Sequence, residues 1–243
     1  VLGLTARRAD IHAQKAASYQ LFDRISHRYD ILNHLLSAGQ DILWRKKAVR
    51  LLNPETDHLI LDLATGTGDL LKAAFGPEPD GRIGVGVDLS EKMLRLGQRK
   101  LASRGKPVYW VRATGDQLPF SSGRFDAVMI AFGIRNIHRL EEALAEIHRV
   151  LRPGGLFIVL EFSLPHQPLF RAGYFWYFRL VLPVLGGLLS GDLYAYRYLN
   201  RTVEDFPYGE AFCRILRSAG FEEVTYRPLT FGIATLYAGK KNV

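Results

Sequence analysis

Apolar residues Phe22, Ile25, Tyr29, Leu32 and Leu36 recur at steps of three and four, the mark of one helix face. Asp23, Arg24, His27, Arg28, Asp30, Asn33 and His34 fill the gaps, a dense polar set suited for the most part to a solvated face. Helix is expected up to about Asn53, where Asn53-Pro54 breaks it. Over residues 58–162 the pattern changes, and short apolar runs alternate with amphipathic stretches. This alternation predicts a parallel sheet with helices on both faces. Strands are expected at 59–63, 83–87, 107–112, 125–131 and 156–162. One helix should run from Ser90, a good N-cap, to about residue 104, with Met93, Leu94 and Leu101 inward. Leu140, Ala143, Leu144, Ile147, Val150 and Leu151 predict another, stopped at Arg152-Pro153-Gly154-Gly155.

Residues 165–200 break this rhythm. Leu169-Phe170, Tyr174 to Phe178 and the run 180–189 are the most apolar and aromatic part of the chain, with Arg171 and Arg179 embedded. Two readings stay open: a core helix, or an insertion that covers a site or touches lipid. A last helix at 210–219, stopped by Gly220, precedes strands at 221–229 and 232–238. The short Thr230-Phe231 link between them predicts an antiparallel hairpin at the sheet edge. The whole reads as a single α/β domain. Its parts are a helical cap (1–53), a binding core (54–163), an apolar lid or insertion (164–206) and a C-terminal helix with strands (207–243).

Composition narrows this picture only slightly. At 243 residues and 48% apolar content one sizeable core is affordable. The net charge of +8 raises the prior for an anionic partner, yet the basic residues are scattered outside Arg45-Lys46-Lys47 and Arg7-Arg8. Cys213 is the lone cysteine, so no intrachain disulfide forms, and no Cys/His cluster has metal-ligand spacing. The first residues show no secretory signal pattern, and the best apolar run, interrupted by Pro183, is too short for a membrane span of about 20 residues. A soluble or peripheral, cytoplasmic protein is expected.

The candidate chemistry sits in LILDLATGTGDL, residues 59–70. A buried strand, the turn Thr65-Gly66-Thr67-Gly68 and a helix opened by Asp69 would offer backbone N–H groups to a ligand. Asp88, about 20 residues on at the end of the next strand, fits a ribose diol as a bidentate acceptor. Where a dinucleotide site has its third glycine this chain has Leu71, and Asp69 would repel a diphosphate. A phosphate-free ligand such as S-adenosylmethionine suits the turn better.

With Asp62, Gly66, Gly68 and Asp88, this unit resembles a Rossmann-like class I S-adenosylmethionine methyltransferase. Three further stretches resemble the ubiquinone/menaquinone biosynthesis C-methyltransferase family. They are Tyr29-Asp30 with Asn33, Ser37 and Trp44; Ala131-Phe132-Gly133-Ile134-Arg135-Asn136; and Arg149 to Gly155 with Glu161-Phe162-Ser163. Gly191-Asp192, Tyr196, Tyr198-Leu199 and Phe206-Pro207 resemble its C-terminal region. The resemblance implies a mostly parallel seven-stranded sheet, S-adenosylmethionine as cofactor, and methylation of a ring carbon of a prenylated quinol. The acceptor would be a demethylmenaquinol or a methoxy-polyprenyl-benzoquinol.

By the same resemblance Thr67 and Asp88, with Gly66 and Gly68 forming the loop, contact the cofactor. Thr114-Gly115 stands where the family has Asn-Ala at the adenine, with Asp116 displaced beside it. Arg135 is the leading catalytic candidate: a guanidinium is no base near neutral pH, but it polarises water or holds a phenolate. Its other reading is a structural bridge to Asp30 or Glu161. Asn136 orients a substrate oxygen or caps a turn; Asp41, or a histidine, is the candidate proton acceptor. Tyr29, Asn33, Phe132 and Tyr196 are expected to line the pocket.

Partner expectations are the prenylated quinol, peripheral contact with the inner face of a membrane, a homodimer, and no nucleic acid or metal. An RNA methyltransferase, a non-catalytic nucleotide-binding module and a nicotinamide oxidoreductase are the competing functions. The first would carry an [ND]-P-P-[YF] motif where this chain has AFGIRN.

Overall fold

The structure, a computed structural model, describes residues 23, 30, 34, 37–75, 81–102, 105, 107–165, 167–177, 179 and 193–242. Phe22, Ile25, Tyr29, Leu32, Asn33 and Leu36 lie outside them, as does the apolar run 180–192, so those expectations find no counterpart here.

Helix α1 (Gln40–Val49) leads into β1 (Leu59–Leu63), followed by α2 (Asp69–Ala74), β2 (Ile83–Asp88), α3 (Glu91–Ala102) and β3 (Val108–Arg112). Next come β4 (Phe125–Ala131), a 3-10 turn at Ile134–Asn136, α4 (Leu140–Val150) and β5 (Leu151–Phe162). Helices α5 (Pro168–Trp176), α6 (Leu193–Asp205) and α7 (Glu210–Ser218) precede β6 (Phe221–Leu229), a 3-10 turn at Thr230–Gly232 and β7 (Ala234–Lys241). The seven strands form one sheet in the order β3-β2-β1-β4-β5-β7-β6. The first five strands pair in parallel, and β7 runs antiparallel to both β5 and β6.

Strand periodicity explains the layering. Leu61, Leu63, Val128, Ile130, Phe157 and Val159 point to one face, where Leu144, Ile147 and Val150 of α4 and Phe212, Cys213 and Leu216 of α7 cover them. The alternate residues Ile60, Ala127, Met129, Ile158 and Leu160 meet Trp44 and Ala48 of α1 and Leu70, Leu71 and Ala74 of α2. A third, small cluster of Leu164, Tyr198 and Val203, with Tyr174, Phe175 and Tyr177 against it, ties α5 and α6 together. The described part of the 164–206 segment therefore carries a satellite core of its own.

Several boundaries differ from expectation; α1, for one, ends at Val49, short of Asn53. Ser90 caps α3 as expected, its hydroxyl accepting from the Met93 N–H at 3.2 Å, although the helix proper starts at Glu91. Helix α4, however, ends at Val150, and β5 begins at once, at Leu151. Pro153-Gly154-Gly155 lies within the strand as an irregularity: Phe125 pairs with Leu151, then Ala127 with Leu156. Gly154 takes φ +72°, which absorbs the extra length. The last strand is likewise shifted, to Ala234–Lys241, because a 3-10 turn replaces the tight link.

Candidate active site

The carboxyl ends of β1, β2 and β4 meet at one rim of the sheet, the place where open α/β sheets bind ligands. After β1 the backbone turns through Ala64 (φ +52°), Gly66 (φ +55°) and Gly68 (φ +78°). At Gly68 a Cβ would stand 2.7 Å from Cη2 of Trp110, so the turn closes only with glycine there. Asp88 clasps this turn: Oδ2 accepts from the Gly66 N–H and Oδ1 from the Ser90 N–H, both at 2.8 Å. Burial raises the Asp88 pKa, against the pull of those N–H groups, and Asp23 opposite adds to the rise. Asp62, beneath the turn, accepts from the Thr65 hydroxyl at 2.6 Å, and burial pushes its pKa up to about 7.

Asp30, Asp23 and His34 reach Thr67, Ser90 and Asp69 at and beside this turn. The Thr67 hydroxyl bonds Asp30 Oδ1 at 2.6 Å and Lys100 Nζ at 2.9 Å. Lys100 also pairs with Asp30 at 2.6 Å and with Asp69 at 2.7 Å. The Thr67 side chain is thus engaged within the protein, and Lys100, which no sequence pattern singles out, neutralises two carboxylates beside the turn. Ser90 Oγ bonds the Asp23 carboxylate.

In the loop after β3, Thr114 forms an isolated bridge with Gln117, and a Cβ on Gly115 would sit 3.4 Å from Leu63 and from Ile137. Asp116 is drawn away by Arg139, whose Nε lies 2.6 Å from its carboxylate.

The turn after β4 forms the second wall. Phe132, at φ +57°, sets its ring 4.4 Å from that of Phe162 and 6.1 Å from Trp44, with the Arg45 guanidinium 5.2 Å from its centroid. Gly133 permits a close approach of the two turns: a Cβ there would lie 2.6 Å from Cβ of Ala64. Arg135 is buried and donates through Nη1 to Glu161 Oε1 at 2.6 Å and to the Phe132 carbonyl at 2.5 Å. Of the two bridges expected for it, the one to Glu161 forms, while Asp30 goes to Lys100. Its Nε is buried without a hydrogen-bond partner among the described residues. Asn136 Oδ1 accepts from the Tyr198 hydroxyl at 3.1 Å, which joins this wall to α6.

Asp41, 2% exposed at the start of α1, accepts from Ser37 Oγ at 2.8 Å, from His34 Nδ1 at 2.8 Å and from Arg45. Burial works to raise its pKa, but Arg45, Ser37 and His34 together hold it below the ordinary carboxylate value. Tyr29 and Asn33 fall outside the described residues; Tyr196 belongs to α6, with its side chain outside them as well. Among the described residues no cluster of His, Cys, Asp and Glu could hold a metal.

A family model described as the ubiE/COQ5 methyltransferase family matches residues 10–241. The chain belongs to that family. Among its relatives, a demethylmenaquinone methyltransferase of Thermus thermophilus is 47% identical, over 91% of this chain and all of its own length. A ubiquinone/menaquinone biosynthesis C-methyltransferase of Syntrophotalea carbinolica is 47% identical, over 92% of this chain and 93% of its own. The fold is shared with a Thermotoga maritima SAM-dependent methyltransferase at TM-score 0.65 and 21% identity, covering 92% of this chain and 99% of that one. It is shared too with Haemonchus contortus phosphoethanolamine N-methyltransferase 2 in complex with S-adenosyl-L-methionine, at TM-score 0.56 and 16% identity (77% and 49% covered).

As a member of the ubiE/COQ5 family the chain is an S-adenosylmethionine-dependent methyltransferase. Its own residues fit that cofactor. Gly66 has nothing within 4 Å on the side where a Cβ would be, which leaves room against the turn. The half-buried Asp88 carboxylate stands beside it, and a carboxylate there is chemically able to accept from a diol. The Gly66 N–H that a diphosphate would need is already taken by Asp88.

Proposed function

We propose that this methyltransferase places a methyl group on a ring carbon of a prenylated quinol. The observation that carries the reading is the aromatic cluster Phe132–Phe162–Trp44, with the buried Arg135 guanidinium over the Phe162 ring, on the turn after β4 that Gly133 lets approach the cofactor turn. A flat, electron-rich ring packs on such a cluster, and the names of the 47%-identical relatives support the same substrate class.

The cofactor supplies an electrophilic methyl on a positively charged sulfur. Gly66, Thr67, Gly68 and Asp88 hold it at the first turn, with Thr114 and Gly115 at the adenine. Aromatic carbon is a weak nucleophile until a neighbouring hydroxyl loses its proton, so the chain must favour a phenolate and hold the ring in line. Arg135 and Asn136 hold the phenolate oxygen; Arg135 is fixed for this by Glu161, and Asn136 by Tyr198. Phe132 walls off water, and Asp41 serves the proton transfer. The isoprenoid tail leaves along α5 and α6 toward a membrane surface on which the enzyme rests.

The test is an assay with methyl-labelled S-adenosylmethionine and two reduced short-tail acceptors, a demethylmenaquinol and a methoxy-polyprenyl-benzoquinol. Label in a lipid-soluble product supports the reading and names the acceptor. Label in RNA alone, or in neither quinol, overturns it.

A further inference from the structure

Proton removal from the quinol needs a base, and Arg135 is not one. Asp41 is poorly placed to act directly: it is 2% exposed, and its two oxygens already accept from Ser37, His34 and Arg45. His34 differs. It is half-buried, with its side chain 34% exposed. Its Nδ1 lies 2.8 Å from Asp41 Oδ2, and a carboxylate is an acceptor only, so Nδ1 carries the proton. That leaves a lone pair on Nε2, at the far end of the ring.

We propose that His34, its tautomer fixed by Asp41, is the base that takes the proton from the quinol hydroxyl. This rests on the quinol reading above.

Its position suits the task. From α1, Asp41 and Arg45 face it, and Arg45 also lies over the Phe132 ring. From α2, Asp69 Oδ2 stands 3.8 Å from Nε2, at the first residue after the cofactor turn. From α3, Lys100 pairs with Asp69 and with Asp30 of the same N-terminal segment. His34 thus bridges the cofactor turn and the helix that roofs the aromatic wall. Two carboxylates flank the imidazolium that forms. In the step, the quinol O–H bond breaks, its electron pair stays on oxygen and the proton goes to Nε2. Once the ring carbon has gained its methyl, it loses its own hydrogen as a proton to water. Nε2 then returns its proton to the oxygen, so one turnover releases one proton.

The experiment compares wild type with His34→Ala. Calorimetry with S-adenosylhomocysteine checks that the cofactor site survives, with Kd within about threefold of wild type. The expected kcat falls by about 10²- to 10⁴-fold. Added imidazole restores turnover, more strongly for more basic imidazoles; a purely structural histidine would give no such dependence. A kcat within about threefold of wild type, or no rescue, overturns the proposal.

A second arm needs no turnover. A nitrocatechol, whose ionised form absorbs visible light, is titrated on each protein with S-adenosylhomocysteine bound. Ionisation at lower pH on wild type than on His34→Ala supports the proposal, and identical titrations overturn it. Wild type that labels neither quinol removes the function assigned above, and the nitrocatechol arm still decides whether His34 draws a proton from an aromatic hydroxyl.

Discussion

Glu161 is fully buried, and three N–H groups converge on it: Arg135 Nη1 at 2.6 Å, the Phe162 amide at 2.8 Å and the Arg135 amide at 3.3 Å. Glu161→Gln leaves the guanidinium buried without a counter-charge, which costs about 3–5 kcal/mol. Urea unfolding should show a loss of that order, along with lost methyl transfer. Asp62 gives a pH signature. Its folded pKa of about 7 lies above the 3.8 of the free side chain, so the folded state binds the proton more tightly. Its contribution to stability is full below about pH 4 and lost as pH rises through 7. Asp62→Asn has no such titration. Between about pH 4 and pH 8 wild type should lose melting temperature relative to the variant, and a constant gap would contradict the assignment. The motif AFGIRN singles out Arg135 in the sequence, but not which carboxylate receives it. That contact joins residues 26 apart on different elements, beyond the reach of local spacing. The same holds for Thr67, whose hydroxyl is taken by an aspartate 37 residues earlier.

At the scale of elements, the site depends on two turns pressed together. A Cβ at Gly133 would come within 2.6 Å of Ala64, and overpacking of this kind costs about 1–3 kcal/mol. Gly133→Ala should therefore weaken S-adenosylhomocysteine binding at least about tenfold by calorimetry, with a smaller fall in stability, because the turns are displaced and not unfolded. Much of the element structure was legible: the alternation in LILDL sends Ile60 and Leu61 to opposite layers, as a strand buried on both faces requires. The start of β5 was not. Proline and paired glycines announce a turn wherever only local chain preference is consulted. Here pairing with β4 keeps Leu151 in the ladder, and the three residues become a bulge inside the strand. Asp116, displaced beside Thr114-Gly115 in the sequence, pairs with Arg139 from the lead-in to α4, a contact that no local spacing announces.

For the molecule as a whole, no helix among the described residues is long and apolar enough to cross a membrane. The described surface of α5 instead exposes Phe170 and Trp176, and the Phe170 ring lies tilted, 4.6 Å from that of Phe231, which is 65% exposed. With a net charge of +8 and Arg171 on the same helix, an anionic bilayer is the expected resting surface. Detergent-free protein should float with anionic liposomes and less with neutral ones. Phe231→Ser with Phe170→Ser should reduce flotation while leaving S-adenosylhomocysteine binding unchanged; no flotation by wild type would remove the membrane contact from this account.

Strand β7 lies between β5 and β6 although it comes after both in the chain. During synthesis the cofactor half of the sheet can assemble early, yet β5 keeps a bare hydrogen-bonding edge until residues 234–241 emerge from the ribosome. Such an edge invites pairing with another nascent chain. The sheet is sealed by a strand that arrives late, and the interval before it docks is when this protein is most exposed to aggregation.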